Sequence, residues 1–192
     1  RPEELEKDCY LFDGWYTDAA CTQPADFSGN VTANTTFYGR YVATDAFYKV
    51  EYYYDGVLDA SLTDRLGPVA FGTTISTYTN KQKTGFNFSE VSPAQLSVGQ
   101  DESANVMRVY YTKRLVNYKV SYYLNGTDEQ IAPSVTKSVR YGETGTGNLL
   151  SIEGYTPVSS NQTISQVIES AGTEIRFEYY KNTALTTNSG TF

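Results

Sequence analysis

A chain of 192 residues that is 40% apolar can bury a core, as one domain or as a few small ones. Its net charge of −7 comes without any basic run, which excludes nucleic acid and anionic lipid as natural partners. No stretch approaches the ~20 apolar residues of a membrane span, so no membrane insertion is expected.

Histidine is absent. That removes Ser-His-Asp and Cys-His nucleophile arrangements and the ordinary His-based metal site. The run Gly142-Glu143-Thr144-Gly145-Thr146-Gly147 fails the spacing of a phosphate-binding fingerprint and is expected as a plain loop. Acidic residues are plentiful, yet no two are singled out as a glycosidase pair. The expectation is a non-catalytic protein with no cofactor and no metal. The 18 Tyr, against 9 Phe and 1 Trp, suit thin sheets in which a ring is buried while its hydroxyl stays wet.

In chain order, the sequence begins at Arg1 without a leader, and is expected to be a piece of a longer exported protein. Phe12-Asp13-Gly14-Trp15-Tyr16-Thr17-Asp18, then Phe27, then Asn34-Thr35-Thr36-Phe37-Tyr38-Gly39-Arg40-Tyr41, resembles the internalin B-repeat (Listeria–Bacteroides repeat) family. A full repeat of that family carries a leading strand and helix, for which residues 1–8 are too short. Residues 1–43 are therefore expected to be a partial module. Cys9 and Cys21 flank its Trp15 segment. In an exported protein they are expected to form a disulfide closing that loop, contributing on the order of 3 kcal/mol in the chain-entropy model. Two buried reduced thiols, or a metal or redox pair, are the other readings.

Two copies of a second pattern follow, expected over 44–114 and 115–181. Tyr48-Lys49-Val50-Glu51-Tyr52-Tyr53-Tyr54-Asp55-Gly56 returns 70 residues later as Tyr118-Lys119-Val120-Ser121-Tyr122-Tyr123-Leu124-Asn125-Gly126. Gly72 matches Gly142 at that offset; Gly85-Phe86 matches Gly154-Tyr155 and Tyr110-Tyr111 matches Tyr179-Tyr180 at 69. The period of two in each opening segment predicts a half-buried strand, and Asp-Gly or Asn-Gly predicts a tight hairpin turn with a strand returning at once. A closing strand is expected over Val106 to Tyr111 and over Ile175 to Tyr180. Short helices are expected at Pro93 to Leu96 and Ile164 to Glu169. At the 69-residue offset Arg108 falls where the second copy has Phe177. Either the first closing strand shifts so that Met107, Val109 and Tyr111 face inward, or its edge is partly solvated.

Both copies resemble the mucin-binding-protein repeat (MucBP) of Gram-positive surface proteins, in the order Tyr-x-Val-x-Tyr, Asp/Asn-Gly, Gly-Phe or Gly-Tyr, and a closing Tyr-Tyr. The resemblance implies a mainly β or α+β fold of tandem small β-grasp-like modules, and the short junction Lys113 to Asn117, neither Gly/Ser-rich nor Pro-rich, favours an extended, rod-like array. The resemblance further implies an extracellular, cell-wall-anchored adhesin, with mucin or another host glycoprotein and the neighbouring repeats of its own chain as partners. In each Tyr-Tyr pair the inner ring is expected to pack in the core and the outer ring to support cross-strand pairing; the sharper reading makes the outward rings Tyr53, Tyr123 and Tyr180 a platform for sugar faces. A purely structural stalk projecting a distal adhesive domain is the alternative. Lys49 and Lys119 alternate outward, which disfavours an isopeptide crosslink there. The sequons at Asn30, Asn34, Asn87, Asn125 and Asn161 follow from composition and are assigned no role. Residues 182–192 are expected to be a linker or tail.

Overall fold

The computed structural model describes residues 2–30 and 32–183 and divides the chain into two compact units. One comprises Arg1–Lys81 with Phe88–Tyr111, the other Gln82–Asn87 with Thr112–Phe192. The strands, in chain order, are β1 (Tyr10–Tyr16), β2 (Tyr38–Ala43), β3 (Asp45–Tyr54), β4 (Val57–Leu58), β5 (Asp64–Ala70), β6 (Thr74–Ile75), β7 (Phe86–Ser92), β8 (Leu96–Ser97) and β9 (Val106–Lys113). They continue with β10 (Leu115–Leu124), β11 (Gln130–Arg140), β12 (Glu143–Asn148), β13 (Tyr155–Pro157), β14 (Thr163–Ile168) and β15 (Glu174–Lys181).

In the first unit the alternation in β3 buries Val50, Tyr52 and Tyr54 and turns Lys49, Glu51 and Tyr53 to the other face. The closing strand β9 runs parallel to β3, pairing Lys49 with Val106 through Tyr54 with Tyr111. Its buried residues are Val106, Met107, Val109 and Tyr111, while Arg108 is exposed. The strand is thus shifted rather than solvated at its core face. The second unit repeats the circuit, with β10 parallel to β15 from Lys119–Glu174 to Leu124–Tyr179. There the buried set is Ile175, Phe177 and Tyr179. Because Tyr54 pairs with Tyr111 and Leu124 with Tyr179, Tyr111 corresponds to Tyr179, not to Tyr180. Arg108 accordingly corresponds to Arg176, which removes the mismatch with Phe177.

The turns after the opening strands differ. Asp55 (φ 48°) and Gly56 (φ 80°) both adopt positive φ, the pattern of a two-residue hairpin, and β4 returns immediately through Tyr54–Val57. In the second unit only Gly126 (φ 72°) is left-handed; the turn runs on until the Leu124 amide donates to the Glu129 carbonyl, and β11 then returns as eleven residues.

Joining parallel neighbours needs a crossover, and both helices expected within it are corrected to β structure. Residues 164–168 lie in β14, antiparallel to β12, with Ile164 half-buried and Ile168 fully buried. Pro93 to Leu96 is irregular until β8, where Leu96 and Val98 are buried two residues apart. Period two on a sheet, not a helical stripe, is what places these apolar side chains. The fold is mainly β, and its single helical element among the described residues is a 3₁₀ turn at Ala60–Leu62.

The glycine run is also corrected: residues 143–148 form β12. A Cβ at Gly145 would lie 2.7 Å from Ile168 and 2.8 Å from Tyr118, and one at Gly147 would lie 2.7 Å from Ile175. These glycines let β12 press onto the face of the β10–β15 sheet, where Val116, Tyr118, Val120, Phe177 and Tyr179 form the core.

Tyrosine hydroxyls fasten each crossover. Tyr52 donates to the Thr79 carbonyl (2.8 Å), and Tyr111 donates to Asn80 Oδ1 (2.8 Å) while accepting from the Lys81 amide. In the second unit Tyr122 donates to the Asn148 carbonyl (3.2 Å), and Tyr179 donates to the Leu150 carbonyl (2.7 Å) while accepting from the Leu150 amide. Buried rings filling the core and hydroxyls holding irregular backbone account for the abundance of tyrosine.

At the N-terminus β1 pairs antiparallel with β2, with a bulge between Phe12 and Gly14. Phe12 packs edge-on against Trp15 (5.4 Å) and Tyr41 (5.3 Å). Cys9 and Cys21 are free thiols, so the disulfide is corrected. Cys9 precedes the first residue of β1; Cys21 sits in the loop beyond its last, where Thr17 N donates to the Gln23 carbonyl and Cys21 N to the Asp18 carbonyl. Seven extended residues separate the two ends by about 20 Å, whereas a disulfide requires Cα atoms within about 7 Å.

Candidate functional site

The three candidate tyrosines stand on the outer faces of the two sheets, in different surroundings. Tyr53 is half-buried and stacks on Tyr110, its partner across the parallel pair, with ring centroids 5.0 Å apart. Its hydroxyl donates to Glu51 Oε2 at 3.0 Å, and Arg108 Nε lies 3.3 Å from the same carboxylate oxygen. Partial burial, and then the hydrogen bond to Glu51, raise the Tyr53 phenol above its ordinary pKa. One face of this ring is therefore taken by Tyr110.

Tyr123 occupies the matching position in the second unit. The Arg176 guanidinium lies 3.9 Å above its ring centroid, and its hydroxyl donates to Glu174 Oε1 at 3.1 Å. Arg176 continues across the face to Glu178 (3.1 Å), to Asp128 (3.3 Å) and to the Thr127 carbonyl. The side chain caps Tyr123 and pins the turn between β10 and β11. Tyr180 differs from both: it is 54% exposed, at the far end of β15 and paired through its backbone with Thr156 of β13. Each ring has its own surroundings within its own unit.

A cation–carboxylate–phenol cluster that sequence reasoning did not single out lies in the first unit. Lys81 Nζ is 2.6 Å from Asp64 Oδ1, 2.7 Å from the Leu62 carbonyl and 4.6 Å from the Tyr52 ring centroid. The Tyr52 hydroxyl, whose proton goes to the nearer Thr79 carbonyl, lies 3.2 Å from Asp64 Oδ2, and burial, followed by the Asp64 charge, pushes its phenol up. Lys81 and Asp64 are 33 and 16 residues past the start of the repeat pattern at Tyr48, without a motif, so only the fold reveals them. The cluster ties the crossover to β5. Among the described residues no group of three or more Cys, Asp or Glu is arranged to hold a metal ion.

With this geometry in place, comparison with known proteins adds the following. Residues 1–40 match the Listeria-Bacteroides repeat domain (List_Bact_rpt), the family that the Phe12–Tyr41 pattern resembles. Among solved structures, the chain is similar to the type 2 repeat of the mucus binding protein MUB from Lactobacillus reuteri, at 13% identity, covering 71% of this chain and 100% of that one, with a TM-score of 0.29. It is also similar to Mub-RV, at 14% identity over 72% of this chain and 100% of that one, with a TM-score of 0.25. A third is a pair of Streptococcal High Identity Repeats in Tandem (SHIRT) domains from a cell surface protein, at 11% identity, 71% and 98% coverage and a TM-score of 0.36. No curated protein matches.

Proposed function

We propose that this chain is a non-catalytic repeat segment of an extracellular bacterial surface adhesin, and that its two MucBP-like copies act chiefly as spacing modules. The observation that carries the reading is the duplicated circuit. An opening strand, a crossover stapled by tyrosine hydroxyls and a parallel closing strand are built twice from corresponding residues. The internalin-repeat match over residues 1–40 supports a modular surface protein. Of the tyrosines, which suggested a sugar platform, six are spent inside the modules: Tyr52, Tyr54, Tyr111, Tyr118, Tyr122 and Tyr179. Outside them, Tyr53 and Tyr123 each have a covered ring face.

A second reading, attachment to mucin or another host glycoprotein, is favoured by Tyr180, whose exposed ring is free to lie against a pyranose face. Binding of the chain to immobilised mucin and to its released glycans separates the two. The spacing role predicts no saturable binding up to millimolar sugar. Saturable binding that is lost in Tyr180→Ala, or in Tyr53→Ala with Tyr123→Ala, overturns it in favour of the glycan reading.

A further inference from the structure

The closing strands β9 and β15 are both eight residues long, but their outer neighbours are not equal. Along β9 runs β7, a strand of seven residues; along β15 runs β13, a strand of three. β13 pairs Tyr155, Thr156 and Pro157 with Lys181, Tyr180 and Tyr179. One more bond, from the Val158 amide to the Glu178 carbonyl (2.8 Å), extends the ladder before the chain turns away.

On the β10 side, Lys119 N donates to the Thr173 carbonyl and Asn125 N to the Tyr179 carbonyl. In a parallel ladder this assigns the odd-numbered residues of β15 to β10. The backbone groups of Glu174 and Arg176 therefore face the side where β13 stops short. The Arg176 side chain does not cover them, because it lies over Tyr123 and reaches towards Thr127 and Asp128. Beside this open edge is a recess of about 260 Å³, lined by Leu149, Val158, Ile164 and Phe177 with Arg176 and Glu178 at its rim.

We propose that this edge of the second unit is a docking slot for an extended peptide segment of a partner protein, added as a strand beside β15 with one apolar side chain in the recess. Strand addition of this kind takes affinity from main-chain hydrogen bonds and specificity from pockets for alternate side chains. The slot offers both: strand-spaced amides and carbonyls at Glu174 and Arg176, and an apolar recess next to them. The first unit shows the occupant's form, since there the chain itself lays a longer strand along the corresponding closing strand. A second copy of the chain is a poorer occupant, because two molecules of charge −7 repel. The site is separate from Tyr180 and does not depend on glycan binding.

The test uses the full chain, isotopically labelled, with a synthetic peptide of the β7 sequence Phe86–Ser92 as the probe. Saturable amide shifts and slowed hydrogen exchange at Glu174, Arg176 and Val158 are expected. Val158→Asp, at a position 43% exposed, is expected to weaken binding at least about tenfold by placing a charge in the recess wall. A peptide N-methylated at alternate amides is expected to lose as much. Shifts centred on another edge such as β11, or unaffected by Val158→Asp, overturn the proposal. So does concentration-dependent self-association that perturbs the same amides without peptide, which would assign the edge to a second copy.

Discussion

The two units solve one packing problem with different side chains. At the position where the second unit has Gly145 in β12, the first has Ile75 in β6, 70 residues earlier. The second unit compensates with a buried Tyr118 and Ile168, where the first has a half-buried Tyr48 and the smaller Val98. Part of the volume given up at Gly145 is supplied instead from the sheet, by the more deeply buried Tyr118, and from the returning strand, by Ile168. Similar circuits can thus share few core identities, because close packing constrains the sum of neighbouring volumes more than any one residue.

Exchanging the layer should break the comparison most sharply. Gly145→Ile places a side chain where Ile168 and Tyr118 already stand within 2.8 Å of a Cβ. A loss of about 3 kcal/mol from the second unit is expected by urea unfolding, following the usual cost of overpacking. The first unit, which carries isoleucine naturally at this place, should unfold unchanged.

A smaller effect is expected from the hydroxyl staples. Tyr179→Phe removes both partners of the Leu150 backbone, and should cost the second unit about 2 kcal/mol, within the range for buried polar groups left unmet. Tyr111→Phe should cost the first unit a similar amount through Asn80 and Lys81. Unequal losses in the two units would show that the crossovers are not held equivalently.

The smallest difference concerns the outer arginines. Arg176→Met removes the cap on Tyr123 and the ties to Asp128 and the Thr127 carbonyl; a small lowering of the thermal midpoint is expected. Arg108→Met, which loses an ion pair with Glu51 at 3.3 Å, should cost less, about 0.5 kcal/mol.

Where side chains alternate, the sequence was readable. β3, β10, β9 and β15 lie where the period of two puts them, and the two-residue turn at Asp55-Gly56 follows from residues that accept positive φ. Residues 143–148 were illegible for the opposite reason. Glycine carries no side chain, so a strand chosen for its thinness leaves no periodicity to read. Ile164 to Glu169 misled because apolar residues spaced by three to four fit a helix as well as a strand, and only the pairing with β12 decides. The closing strands were offset by one residue because adjacent Tyr-Tyr pairs match in either register. Buried Met107, Val109 and Tyr111 resolve that ambiguity. Of the candidate site, the outward orientation of Tyr53 and Tyr123 was legible; the Arg176 cap and the Tyr110 stack were not, since each comes from a strand more than fifty residues away.

The parallel arrangement of β10 and β15 also governs how the second unit bears tension. Its chain enters at one end of this pair and leaves at the other, so a pull along the chain slides the two strands past each other. The ladder from Lys119–Glu174 to Leu124–Tyr179 is then loaded together, in shear, instead of being unzipped one bond at a time. A module wired in this way resists stretching through its central pair, whatever its surface binds.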